Sequence, residues 1–204
     1  MLLSCLFFFI FSIKTAFNRE LLFFTENPPV FYKTIYASPV GDLTLASDGS
    51  NIIGLWLEGQ KYFQDTVSGN LTLKNDLPVF QQAKLWLDAY FAGQHPLISA
   101  LPLAPIGNDF RQAVWKILCE IPYGEVTTYG AIAKQISAQR GIKDMSAQAV
   151  GWAVGHNPIS IIIPCHRVVG TDGNLTGYTG GISNKIKLLT LEGVDMSSFF
   201  EPKV

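Results

Sequence analysis

Three short stretches rich in β-branched, aromatic and aliphatic residues, at 32–38, 43–46 and 52–57, are separated by Pro39-Val40-Gly41-Asp42 and by Ser47-Asp48-Gly49-Ser50. Clusters of Gly, Asp, Ser and Pro reverse the chain, so the pattern predicts an antiparallel meander. After a polar interval, Leu77-Pro78 opens a segment carrying Phe80, Ala83, Leu85, Leu87, Tyr90 and Phe91 at helical spacing, and Gly93 with Pro96 closes it. Strands under one covering helix make a small α+β domain, assigned to residues 31–106. Pro102, Pro105 and Gly107 mark residues 97–107 as its linker.

From residue 108 the pattern becomes helical. Asn108 is placed to cap a helix whose Phe110, Val114, Ile117 and Leu118 share a face, and Pro122 ends it. Thr128 caps a second helix at 129–136, and Ser146 caps a third at 147–154 that stops at Gly155 before Pro158. The last two helices have the arrangement of a helix-turn-helix. Spacing alone also fits a plain packing pair, because a helix of Ala, Val and Gly is a good close-packing element. Residues 107–195 thus read as a mostly helical second domain. Residues 1–30 read as an apolar extension outside the folded domains, and 196–204 as a tail.

The apolar run 159–163 reads as a buried strand that delivers Pro164-Cys165-His166-Arg167 to a stretch containing Gly170, Gly173, Gly177, Gly180 and Gly181. A cysteine among Ile and Val is often a small buried hydrophobe. Here an imidazole and a guanidinium follow at once, surroundings that are expected to lower a thiol's pKa and make Cys165 a nucleophile. Neighbouring strand residues point to opposite faces, so a bridging water or a turn at Cys165 is expected in place of a direct hydrogen bond to His166.

Composition narrows the function classes. The chain has 204 residues and a formal net charge of -1, which argues against nucleic-acid binding through a broad basic field. Residues 1–106 carry six Lys and Arg against eight Asp and Glu, whereas 107–195 carry eight against seven, so the second half is only marginally basic. Cys5, Cys119 and Cys165 are far apart with no CxxC pair, which excludes a disulfide framework and a zinc knuckle. No metal and no cofactor is expected. Reduced thiols point to a cytoplasmic setting. Residues 1–13, with Phe7-Phe8-Phe9, are too short to span a bilayer comfortably and lack the basic region of a secretory signal. A membrane-surface anchor, a degenerate export signal and upstream translated sequence all fit them.

Several elements together carry a resemblance. They are Gly124-Glu125-Val126-Thr127-Thr128-Tyr129, Ala149-Val150-Gly151, His156-Asn157-Pro158, Ile163-Pro164-Cys165-His166-Arg167-Val168, Gly177-Tyr178-Thr179-Gly180-Gly181 and Leu191-Glu192-Gly193. In order and spacing they resemble the O6-alkylguanine-DNA alkyltransferases, the methylated-DNA-protein-cysteine methyltransferases. The meander from Phe31 is similar to the ribonuclease-H-like N-terminal domain of bacterial members.

The resemblance implies direct-reversal DNA repair in a single turnover. An alkyl group on O6 of guanine in duplex DNA, with O4 of thymine as a second candidate position, passes irreversibly to Cys165 after the damaged nucleotide is flipped into a pocket. A helix-turn-helix enters the minor groove, where small residues permit close backbone approach and little base readout is available. DNA contacts then fall to Thr128, Ala147, Gln148, Ala149 and Gly151, with Ala153 as a further small residue. His166 is implied as general base through water, Glu192 as its orienting partner, Tyr129 as the donor to N3 of the leaving guanine, and Asn157 as a brace for the Cys165 loop. Val168, Tyr178 and Thr179 are implied to bind the base, with Arg167 behind them as a salt-bridging brace. Backbone groups of Cys165, Val168 and Thr179 are to read the guanine edge.

One position departs from the family. Many members carry an intercalating arginine where this chain has Gln148, so weaker and less salt-dependent DNA binding is expected. Alkylated double-stranded DNA is the expected partner, with a monomeric protein and no obligate protein partner. Two rival readings are a binding protein that marks alkylated bases without transfer, which the presence of Cys165 disfavours, and a cysteine hydrolase, which leaves the helix-turn-helix unexplained.

Overall fold

The computed structural model describes residues 30–201. Strands β1 (Phe31–Ser38), β2 (Gly41–Ser47) and β3 (Ile52–Leu57) form the expected antiparallel meander. Gly41 takes a φ of 106° in the first turn, and the Asp48 carboxylate accepts from the backbone N–H groups of Ser50 and Asn51 in the second. A short fourth strand, β4 (Leu71–Leu73), pairs in parallel with β1, giving the order β3-β2-β1-β4. It lies in the interval read from sequence as merely polar.

Helix α1 (Pro78–Phe91) opens on a proline, whose missing N–H costs nothing in a first turn, and buries Phe80, Ala83, Leu87 and Tyr90. Leu85 falls on the opposite side and is 69% exposed, so it is not part of the core face. Leu43, Leu45, Leu55 and Leu57 join the α1 face in the main core, while Ile53 and Trp56 pack with Ala46 and Val67 in a second cluster. Strand β3 is therefore buried on both faces. Trp56 lies over Gly54 so closely that a Cβ there would meet its ring at 2.0 Å.

The outer edge of β3 positions the rest of the molecule. Ile52 bonds through its backbone to Pro102 and Ala104, so part of the expected linker is docked on the sheet. Leu55 donates to the Pro158 carbonyl and accepts from Ser160 N–H, each at 2.8 Å. The run 159–163 makes only this one bridge, at Ile159, and then turns, with Ile163 N–H bonded to the Ile159 carbonyl and Ile161 at a φ of 70°. The expectation of a strand there is overturned: the apolar run records burial on every side, which periodicity cannot tell from a buried strand.

Helices α2 (Asp109–Cys119), α3 (Tyr129–Arg140) and α4 (Ala147–Gly155) begin at the three expected caps. Asn108, Thr128 and Ser146 side chains accept from the N–H groups of Arg111, Ala131 and Ala149. Helix α3 runs past the expected end at Ile136, to Gly141 at a φ of 63°. Strands β5 (Thr127–Thr128) and β6 (Val168–Val169) pair in parallel, and α5 (Ile182–Leu191) follows. Residues beyond α5 return to the glycine-rich stretch, where Asn174 bridges Phe200. Residues 31–201 belong to one compact unit. The expected extension at 1–30 lies outside the described residues, apart from Val30. Among the described residues no helix is long and apolar enough to cross a membrane.

Candidate active site

Cys165 begins a single 3-10 turn, Cys165–Arg167, closed by hydrogen bonds from Arg167 N–H to Pro164 and from Val168 N–H to Cys165. Of the two expected alternatives at this point, the chain makes the turn. Asn157, which caps no helix, fixes the loop from behind. Its amide donates to the Ile163 carbonyl at 2.8 Å, and its oxygen accepts from Ile159 N–H at 3.0 Å. A buried amide with these partners leaves little freedom in the segment leading to the thiol.

The electrostatics differ from the sequence expectation. Burial pushes the Cys165 thiol up, and the opposing pulls of the Asn157 hydrogen bond and the Lys185 charge do not overcome it. The neighbouring Arg167 guanidinium makes its side-chain hydrogen bonds to Glu192 and to the Ile121 carbonyl. Burial likewise pulls His166 below its usual 6.5, against the pull of Glu192. At neutral pH the resting pair is a thiol beside a neutral imidazole.

Glu192, just past the end of α5, organises the surrounding charges. Its Oε1 accepts from His166 Nε2 at 2.8 Å, Arg167 Nη2 at 3.0 Å and the Tyr90 hydroxyl at 2.7 Å. Its Oε2 accepts from Arg167 Nε at 2.8 Å and Gly124 N–H at 3.4 Å. Burial works to raise this carboxyl, but the bonds and charges of His166 and Arg167 prevail and hold it down to about 2. An ionised acceptor opposite Nε2 requires a proton on that nitrogen, so the Nδ1 lone pair is free. Nδ1 is buried and takes no hydrogen bond from the protein. Arg167 also donates to the Ile121 carbonyl at 2.6 Å.

Two of the predicted site residues, Tyr129 and Tyr178, lie within reach of the charge on Cys165. Tyr129, the first residue of α3, donates to the Thr176 carbonyl at 3.2 Å, and burial together with Cys165 pushes its hydroxyl up to about 12. Tyr178 stands edge-on to His166, with its buried hydroxyl unpartnered by the protein. A cleft of about 250 Å³ opens beside them, lined by Gly151, Gly155, Gly177, Tyr178 and Thr179. Two backbone groups expected to read a base are already engaged: the Val168 carbonyl accepts from Lys185 Nζ at 2.5 Å and the Thr179 carbonyl from Lys61 N–H at 3.3 Å.

On α4, Ala147 and Gln148 are exposed and Ala149 and Gly151 half-buried. Gly151 faces the Tyr129 ring, where a Cβ would lie at 3.6 Å. Ala153 points inward and its carbonyl accepts from Trp115 Nε1, which removes it from the expected groove surface. Thr128 serves as the α3 cap.

Two residues of the site were not foreseen. Tyr90 was read only as a core position of α1. Lys185 is fully buried, its pKa pulled by burial to about 8 against the opposing effect of Cys165. Its signal was present: a lysine between Ile182 and Leu188 sits on the apolar face of α5.

Known proteins match both halves of the chain. The profile described as "6-O-methylguanine DNA methyltransferase, ribonuclease-like domain" covers residues 31–105, and that of its "DNA binding domain" covers 109–194. The methylated-DNA–protein-cysteine methyltransferase of Haemophilus influenzae is 44% identical over 163 residues, 80% of this chain and 87% of that protein. The protein of the same name from Mycobacterium bovis is 47% identical over 163 residues, 80% and 92% of the two chains. Among solved structures, the O6-methylguanine methyltransferase of Mycobacterium tuberculosis superposes with a TM-score of 0.67 at 43% identity, covering 80% of this chain and 93% of that one. The M. tuberculosis protein solved in complex with DNA gives 0.66 at 45% identity, covering 79% and 91%.

Proposed function

The chain belongs to the 6-O-methylguanine DNA methyltransferase family, and from that premise we propose that Cys165 is its alkyl acceptor and His166 the base that activates it. The protein is a DNA-binding methyltransferase that repairs methylated DNA by alkyl transfer to a protein cysteine. The observation that carries the assignment of residues is the buried Cys165 turn backed by the His166–Glu192 pair.

Helices α3 and α4 form the helix-turn-helix, with α4 in the minor groove. Exposed Ala147 and Gln148 and half-buried Ala149 approach the backbone, Gln148 enters the gap left by the flipped nucleotide, and Thr128 and Gly151 support α3 and Tyr129. The base enters the cleft beside Tyr178 and Thr179, where the free lone pairs of the Val168 and Thr179 carbonyls take its edge. The Cys165 proton passes through a water to His166 Nδ1, the lone pair left free by Glu192. The sulfur attacks the alkyl carbon in line, the carbon–oxygen bond breaks, and Tyr129 donates to N3 of the departing guanine so that no purine anion is released. Arg167 takes no part in substrate contact and secures Glu192.

A thiol kept protonated by burial until His166 takes its proton is protected from wasteful oxidation between lesions. The product is a thioether, which no group in this site can cleave, so each molecule acts once. Within the compact unit, residues 31–106 are the sheet domain and 107–195 the DNA-binding and transfer domain, working as a monomer in the cytoplasm without metal or cofactor.

Intact-protein mass spectrometry after mixing with an O6-methylguanine duplex tests this. One methyl is gained per molecule on Cys165 and none by Cys165→Ser. Repeated turnover, or a methyl on another residue, overturns the assignment.

A further inference from the structure

We propose that Tyr90, on helix α1 of the sheet-bearing half, is a positioning residue for the transfer step: its hydroxyl fixes the Glu192 oxygen that holds His166 and so sets how readily His166 takes the Cys165 proton. This rests on the roles given above to Cys165 and His166. The Tyr90 hydroxyl lies 2.7 Å from Glu192 Oε1 and 3.4 Å from His166 Nε2, at the junction of the two groups. It is the one member of the cluster contributed by α1.

The ring is held so that the hydroxyl cannot swing away. Tyr90 is 1% exposed, stacks parallel to Trp86 with centroids 5.5 Å apart, and meets Phe91 and Tyr123 edge-on. Burial and the Glu192 charge keep its phenol protonated at every working pH, so it is a permanent donor. Three donors on one carboxylate oxygen disperse its negative charge. A less basic Glu192 stabilises the imidazolium less, which adds to the burial that keeps His166 neutral at rest.

The groups facing His166 are Cys165 and Arg167 on its own turn, Lys185 and Glu192 from α5 and its end, Tyr90 from α1, and Tyr178 from the glycine-rich stretch. Tyr90→Phe removes one donor and leaves the rest. With its charge less dispersed, Glu192 favours the imidazolium more, the His166 pKa rises, and less neutral base is present at a given pH. The acid limb of the rate profile therefore moves upward.

The test uses the full chain and three variants: Tyr90→Phe, Tyr90→Met, which fills the site with neither ring nor donor, and Trp86→Phe, which loosens the same packing but keeps the hydroxyl. Single-turnover methyl transfer from an O6-methylguanine duplex is followed from pH 5 to 9, beside an NMR titration of the His166 imidazole without DNA. Tyr90→Phe and Tyr90→Met are expected to shift both the acid limb and the imidazole titration up by about half to one pH unit. Affinity for undamaged duplex stays the same, and Trp86→Phe leaves both titrations in place. If either hydroxyl-free variant that folds titrates as the parent does, or if Trp86→Phe shifts equally, the proposal fails. Should the parent transfer no methyl at all, the functional assignment fails instead, and the imidazole titration still decides the role of Tyr90.

Discussion

Gly177 lies so close to Tyr129 that a Cβ on the glycine would sit 2.6 Å from the tyrosine hydroxyl oxygen. The position also has a φ of 89°, a region in which L side chains are strained. Two separate effects therefore follow from Gly177→Ala. The backbone strain costs about 1–2 kcal/mol, which lowers the melting temperature by roughly 2–8 °C in a protein of this size. Displacement of the Tyr129 hydroxyl lowers the transfer rate by about tenfold or more, the loss of one well-placed hydrogen bond in the transition state. Gly181→Ala is the control, since Gly181 has a φ of 91° with nothing within 4 Å of the added carbon. It should melt lower yet transfer at the parent rate. Equal rates for Gly177→Ala and the parent would remove Tyr129 from the mechanism.

Gln148 is exposed on α4, where the proposed contact with DNA falls. Substituting Gln148→Arg restores a cation near the phosphates without disturbing a buried contact. Binding to duplex DNA should tighten at low salt, and the slope of log affinity against log salt should steepen by about one. The slope is the informative quantity, because it counts neutralised phosphates. A parallel pair of salt curves would place Gln148 away from the duplex.

What the sequence made legible was local chemistry. The caps Asn108, Thr128 and Ser146 announced their helices because each oxygen acts on N–H groups within three residues. Cys165 stands out as a candidate nucleophile from its own neighbours in sequence, whereas the roles proposed for His166 and Glu192 come only with the family pattern. What stayed hidden depends on partners distant in sequence. The run from Ile159 looked like a strand because burial by β3, Asn157 and the helices erases the alternation that would distinguish it. Strand β4 is three residues long and gains its identity only from β1. The raised pKa of the thiol is not legible in the local sequence, because its largest cause is burial, which the whole fold sets.

Glu192 makes the protein acid-sensitive. Its carboxyl is held at about 2 in the fold against an ordinary value of 4.5, so its contribution is fully present above pH 4.5 and is lost as pH falls toward 2. A shift of this size corresponds to about 3 kcal/mol. His166, held below 6.5 by burial, adds a loss in the same direction that begins at higher pH, since the unfolded chain takes up its proton first. Urea denaturation of the parent and Glu192→Gln at pH 7, 5 and 3.5 checks both. The variant should be weaker by about 3–5 kcal/mol at pH 7, because Arg167 is left buried without its counter-ion. Its stability should then change less below pH 4.5, where the parent continues to fall. Curves that fall in parallel below pH 4.5 would mean that the acid loss arises elsewhere.

Lys185 ties the charge of the site to pH from the opposite side. It is fully buried, bonds the Val168 and Thr176 carbonyls, and its cation favours the ionised form of Cys165. Tyr129 donates to the same Thr176 carbonyl, so the lysine also supports the proton donor. Lys185→Met keeps much of the side-chain shape and removes the charge. The thiolate then becomes harder to form, and each unit of thiol pKa corresponds to about tenfold in the population of the reactive form. The lysine itself loses its proton near 8, because burial disfavours its charge. Its help to the thiolate is present below that pH and fades above it. The ratio of parent to Lys185→Met transfer rates should accordingly be largest near pH 7 and shrink as pH rises through 8 to 9.5. Single-turnover rates across that range decide it. A ratio that stays constant would show the lysine acting through its hydrogen bonds alone, with no electrostatic hold on Cys165.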